Sequence, residues 1–185
     1  MPKDQDFATR VTERKTVFEG MIWNVVSETF EFAGQSLTRQ FVDHPGAVAV
    51  LALNEAGQLL MIRQFRQPVR QYLWEIPAGL LDISGETMIE AAARELQEET
   101  GYRPRSIEHL IDFFTTPGGN NEMIRIFLAG DLEFVGRPAE QEGEERDLLV
   151  EWIDFGDALE AVLNSEIKSP SAAVGILAAA QRLKR

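Results

Sequence analysis

The sequence predicts a layered α/β domain, a mixed β-sheet sandwiched between helices, preceded by a small β-ribbon. Three observations carry that expectation. Short apolar runs rich in β-branched residues are separated by Gly, Asn and Pro turn signals along much of the chain. The stretch from Thr87 to Thr100 has a helical apolar period, and two more helix-like segments follow near the C-terminus. Strands interleaved with helices pack as layers around one core.

Taken in order, residues 1–45 are polar and alternating, with "WNVVSETFEF" and "SLTRQFVDH" readable as strands joined near Gly34. They are expected to form an N-terminal ribbon or arm ahead of a main domain spanning residues 46–185. In "GAVAVLALNEAGQLLMIRQFR" two apolar runs flank "NEAGQ", which predicts a hairpin. "YLWEIPAGLLD" leads through the loop "LLDISGE" into the first helix. Further strands are expected at "HLIDFFTTP", "MIRIFLAGDLE" and "LLVEWID". The closing helices are "FGDALEAVLNSE" and "SPSAAVGILAAAQRLKR", the second with Ser169 as N-cap and Pro170 at its first position.

Composition narrows the function classes. The 185 residues are 44% hydrophobic, which suits a globular chain able to bury one sizeable core. No cysteine is present, so disulfides and thiolate chemistry are excluded and any metal would be held by oxygen or by the two histidines. A net charge of −12 argues against nucleic acid as a partner, because duplex binding depends on Lys and Arg neutralising phosphates. The N-terminus has no apolar signal region, and "AAVGILAAA" is far shorter than the ~20 residues needed to span a bilayer. A soluble, cytoplasmic protein without a membrane partner is expected.

The chemistry concentrates in "GETMIEAAARELQEETGY", Gly85 to Tyr102, where five glutamates lie in eighteen residues. At ~100° per residue, Met88, Ala92 and Leu96 form a stripe with Ile89 and Ala93 beside it, so one side can bury. Glu95, Glu98 and Glu99 project elsewhere at i, i+3 and i+4. Three neighbouring carboxylates repel one another unless they are solvated or share cations. Arg94 offers partial compensation by pairing with Glu90 and Glu98. A helix needing only solubility would intersperse Lys at i+4, so the stacked acids point to a hard divalent cation such as Mg²⁺.

Glu86, seven residues, and then "RELQEETGY" resemble the signature of the Nudix hydrolases, G-x5-E-x7-R-E-U-x-E-E-x-G-U with U a bulky apolar residue. Arg94, Glu95, Leu96, Glu98, Glu99, Gly101 and Tyr102 all fit. One departure is visible: six residues rather than five separate Gly79 from Glu86, an insertion that falls in the loop and leaves the helix spacing intact. The resemblance implies a divalent metal, Mg²⁺ or Mn²⁺, held by Glu95 and Glu99 with Glu98 assisting and the carbonyl of Ala78 as a further ligand. It also implies an orienting role for Arg94, loop support from Glu86, and cleavage of a nucleoside diphosphate linked to another group.

"LWEIPAGLLD", "TTPGGNNE" and the acidic "AEQEGEERD" together resemble the ADP-ribose pyrophosphatases of that family over most of residues 20–180. The implied partner is a nucleotide sugar, and the implied assembly is a homodimer formed through an exchanged N-terminal ribbon. A glutamate on the acidic loop would orient the attacking water, with Glu144 favoured, Glu142 next and Glu145 competing. Pro117 with Gly118 sits sixteen residues beyond Gly101, as a Pro in this region does in ADP-sugar hydrolases, and makes Gly118 a substrate-binding candidate. Arg66 and Arg39 are candidates for phosphate or terminal ribose because a planar guanidinium matches such oxygens, with a surface ion pair the plain alternative. Trp23 is a candidate to stack on adenine from a partner subunit, with core filling as the competing role. His44 and His109 lack metal-ligand spacing and are expected at ordinary surface or edge positions.

Overall fold

A computed structural model describes residues 1–138 and 147–183. Among these residues the order is β1 (Arg10–Glu19), β2 (Asn24–Phe32), β3 (Gln35–Asp43), β4 (Ala47–Ala52), β5 (Gln58–Arg66), β6 (Gln71–Glu75) and β7 (Ala78–Leu80). Then follow α1 (Met88–Thr100), β8 (Tyr102–Phe114), β9 (Met123–Phe134), β10 (Leu149–Asp154), α2 (Phe155–Leu163) and α3 (Pro170–Leu183). The chain divides into two compact units. One comprises Met1–Pro45 with Phe114–Glu122, the other Gly46–Phe113 with Met123–Arg185.

The first unit contains the antiparallel sheet β1-β2-β3. Ala33 and Gly34 both take positive φ in the tight β2–β3 turn, the geometry that matches the twist of a hairpin. Strand β1 is an addition to the expectation, which placed strands only from Trp23 onward. It pairs with β2 from Arg10↔Glu31 to Glu19↔Asn24 but carries register shifts at Val11/Glu13 and Thr16/Phe18. Each shift breaks the period of two, so the strand does not read as one in sequence. The segment Phe114–Glu122 belongs to this unit because it ties back to β3: Val42 N donates to Gly119 O at 3.0 Å and Asn121 N to Val42 O at 3.3 Å.

The second unit holds two sheets, β7-β4-β9-β8 and β10-β5-β6. The first is mixed, since β4 runs parallel to β9 and antiparallel to β7. Alternation along β4 explains the layers. Ala47, Ala49 and Leu51 face a cluster with Leu59, Met61, Ile126, Ala172 and Ile176, whereas Val48, Val50 and Ala52 face Leu60, Phe127, Ala91, Ala92 and Leu96. Helices α2 and α3 therefore cover one side and α1 the other. A strand buried on both sides reads as an unbroken apolar run, as β4 does.

That double burial also corrects the expected hairpin. Asn54 and Gly57 do make the turn, with Gly57 at φ 77°, but beyond the single bridge Leu53↔Leu59 the two strands part into different sheets. β4 takes β7 and β9 as neighbours while β5 takes β6 and β10.

Candidate active site

Helix α1 is held at both ends by local chemistry. Thr87 Oγ1 accepts from Glu90 N at 3.3 Å while Glu90 Oε2 accepts from Thr87 N at 2.9 Å, a reciprocal capping box. Glu90 is thus committed to the cap rather than to Arg94, and these hydrogen bonds from Thr87 hold its carboxyl below the usual range. At the other end Gly101 closes the helix at φ 80°, donating to Gln97 O. The buried side comprises Ala91, Ala92, Leu96, Glu99 and Thr100. Ile89, expected beside the apolar stripe, is instead 49% exposed, because the docked side is rotated toward Ala91.

The loop before the helix delivers its residues to the same place despite its extra residue. Gly85, at φ 86°, and the Glu86 N to Ile83 O hydrogen bond take up the insertion in a turn. Glu86 then receives Arg94 through two parallel bonds, Nε to Oε1 at 2.8 Å and Nη2 to Oε2 at 3.0 Å. The remaining guanidinium nitrogen reaches Glu95 Oε1 at 2.6 Å and Glu98 Oε2 at 3.0 Å. One arginine therefore organises three glutamates. Its hydrogen bond holds the Glu86 carboxyl below the usual range, and its own pKa is raised chiefly by Glu86.

Strand β7 lies against the acidic turn. Ala78 N donates to Glu99 Oε2 at 3.0 Å, and Glu99 is 8% exposed. At Gly79 the approach is closer still, for a Cβ there would overlap the Glu95 carboxylate. Burial raises the Glu95 pKa; Arg94 opposes the shift, while Glu98 and Asp82 add to it by repulsion. Glu98 and Glu99 also occupy the last turn of α1, where no basic residue offsets the negative end of the helix dipole. Packing and charge are at odds here.

These observations suit a divalent cation. The donors are all oxygen, the charged form of Glu95 is disfavoured by burial and by Glu98 and Asp82, and a cation would relieve both. Among the described residues no three carboxylates or histidines converge at metal-ligand spacing. Arg94 holds Glu95 and Glu98 instead, and the Ala78 amide holds Glu99.

A NUDIX domain model matches residues 43–173. The chain belongs to the NUDIX family. The NUDIX chain is 39% identical to an ADP-ribose pyrophosphatase of Mycobacterium tuberculosis over 176 residues, covering 95% of this chain and 84% of that protein. It is 35% identical to an ADP-ribose pyrophosphatase of Bacillus subtilis, covering 88% of each. A solved structure described as an ADP compounds hydrolase aligns with a TM-score of 0.79 at 20% identity, over 98% of this chain and 97% of that one, and so shares the fold. NUDIX hydrolases generally use divalent metal ions.

Of the other residues singled out from sequence, Arg66 lies in the second unit, with Nε and Nη2 on Glu75 at 2.9 and 2.7 Å. Glu75 is 5% exposed and also accepts from Gln64, so Arg66 is an oriented group with its side chain still 42% exposed. Arg39, Trp23 and Gly118 all belong to the first unit. Arg39 sits on β3 opposite Glu28, donating to Thr38 O at 2.8 Å. Trp23 is 45% exposed, which rules out core filling. Glu142, Glu144 and Glu145 lie outside the described residues. His109 pairs with Asp112 at 2.9 Å on the exposed surface, as expected. His44, in contrast, is nearly enclosed, its side chain 8% exposed beside Glu122. Neither the seat of Gly79 nor the enclosure of His44 has a periodic signature, since both arise from residues distant in sequence.

Proposed function

We propose that the protein is an ADP-ribose diphosphatase that hydrolyses ADP-ribose to AMP and ribose 5-phosphate, working in the cytoplasm as a homodimer. The observation that carries the chemistry is the seating of Ala78 and Gly79 on Glu99 and Glu95, which concentrates buried negative charge at the end of α1. The substrate reading draws on the two relatives named ADP-ribose pyrophosphatase, each aligned over most of both chains.

In this reading Glu95 and Glu99, with Glu98 and the Ala78 carbonyl, hold Mg²⁺ or Mn²⁺. When bound, such an ion lowers the pKa of water and neutralises charge developing on a phosphoryl group. Arg94 keeps Glu95 and Glu98 oriented through the anchor it makes to Glu86. Glu144, or next to it Glu142, orients the attacking water as general base. The resemblance to ADP-ribose pyrophosphatases supports Arg66 and Arg39 as candidates for phosphate or the terminal ribose, Gly118 as a substrate-binding candidate, and Trp23, from a partner subunit, as the stack on adenine. The exchanged ribbon is supported by exposed Val11, Val17, Phe18 and Phe32, which a monomer would leave in water.

The test is a substrate panel compared by kcat/KM, because specificity is a ratio. ADP-ribose is expected to exceed GDP-mannose and dinucleoside polyphosphates by at least about tenfold, or 1.4 kcal/mol of transition-state binding. Equal or better turnover of those competitors would reassign the substrate, and ADP-ribose binding without any turnover would make the protein a sensor.

A further inference from the structure

Trp23 ends the tight loop between β1 and β2. Gly20 makes that loop possible, since a Cβ there would overlap the carbonyl of Trp23, and its N–H donates to Asn24 Oδ1 at 3.3 Å. The loop presents Met21, Ile22 and Trp23 to solvent, all exposed apolar side chains. Trp23 has an aromatic ring against it. The His44 imidazole lies 5.6 Å from the indole, centroid to centroid, with the planes inclined by 33°.

His44 is far less exposed than the residue it touches. Its side chain is 8% exposed, with Nε2 at 3.4 Å from Glu122 Oε1. The other Glu122 oxygen accepts the Thr115 hydroxyl at 2.6 Å, and Glu122 N donates to Asn120 Oδ1 at 3.2 Å. The His44 backbone N–H donates to Asn121 Oδ1 at 2.8 Å, while Asn121 Nδ2 donates to Asp43 at 2.8 Å. All these residues belong to the first unit. An anchored ring thus contacts an exposed one, and none of the chemistry assigned above uses the anchored ring.

We propose that His44 is a positioning residue, which holds the Trp23 indole in one orientation so that its exposed surface receives the planar base of a nucleotide. This rests on the reading of Trp23 as the adenine contact. A loop tryptophan free to sample rotamers must be ordered when a base binds, and ordering beforehand removes that cost. Glu122, Thr115 and Asn121 act one step further back, by fixing the imidazole.

The test compares the full-length protein with its His44→Ala and His44→Phe variants. The readouts are KM and kcat for ADP-ribose, with AMP and ribose 5-phosphate as separate inhibitors, since only AMP carries the base. His44→Ala is expected to weaken AMP inhibition and raise KM by about five- to tenfold, the scale of one lost ring contact. Ribose 5-phosphate inhibition stays unchanged and kcat stays within about twofold. His44→Phe, which keeps a flat ring, recovers most of the AMP affinity. Unchanged AMP inhibition in His44→Ala would overturn the proposal, and so would equal weakening of both inhibitors, which marks general damage. If the wild type does not turn over ADP-ribose, the function fails separately. Calorimetry of AMP against ribose 5-phosphate with the same variants then decides the role of His44 by the same contrast.

Discussion

Gly79 has no room for a side chain, because the space a Cβ would fill is held by the Glu95 carboxylate. Gly79→Ala must therefore push the strand off the helix or turn Glu95 away. Overpacking of this kind costs about 1–3 kcal/mol, so a lowered thermal midpoint is expected together with a loss of kcat/KM of at least about tenfold. Glu99→Gln separates the two effects. Its amide oxygen can still accept from Ala78 N, so the melting midpoint should change little, while loss of the charge should lower turnover in saturating Mg²⁺ by more than about tenfold. At this scale the sequence was informative wherever spacing alone defines neighbours, as for Glu95, Glu98 and Glu99. It was silent where the partner comes from another element. Glu75 beneath Arg66, Glu86 beside Arg94 across an aperiodic loop, and Ala78 against Glu99 are contacts that only the folded chain creates.

Among the elements, α1 depends on its first turn. Thr87→Ala removes an N-cap whose loss costs about 1 kcal/mol, measurable as a shift in urea midpoint with an unchanged slope. Activity should survive, because Arg94, Glu95, Glu98 and Glu99 lie beyond the first turn. The helices were the most legible elements, since α1 falls within the helical pattern read from Thr87 to Thr100 and α3 begins at Pro170, the expected first position. Strands were legible as segments but not as partners. An apolar run such as β4 signals burial on both sides without naming its neighbours, so adjacency of β4 and β5 in sequence suggested a hairpin that two separate sheets replace. Strand β1 escaped notice for the opposite reason, its bulges having erased the alternation on which a strand reading relies.

Across the whole molecule, acid stability has an identifiable contributor. Hydrogen bonds from Arg125, joined by His109, hold the Asp112 carboxyl below its ordinary value of 3.8, against a smaller opposing effect of burial. A depressed native value stabilises the fold fully above the unfolded-state value, and that contribution is lost as pH falls through the native one. Asp112→Asn should therefore be less stable than the wild type near pH 7, and the difference should shrink below pH 3.8, as chemical denaturation at a series of pH values would record. The apolar exposure of the first unit bears on assembly. Removal of residues 1–19, which deletes β1, is expected to convert a dimer to a monomer in sedimentation equilibrium. A wild-type chain that sediments as a monomer would remove the exchanged ribbon from the account.

The central claim is metal-dependent cleavage of ADP-ribose at the acidic end of α1. It is tested most directly by incubating the wild-type protein with ADP-ribose and Mg²⁺ in ¹⁸O-labelled water, with and without EDTA, and resolving the products by chromatography. The account predicts AMP and ribose 5-phosphate in equal amounts, one of them carrying the label, and no product in EDTA. Full turnover in EDTA, or cleavage at any bond outside the diphosphate, would contradict it.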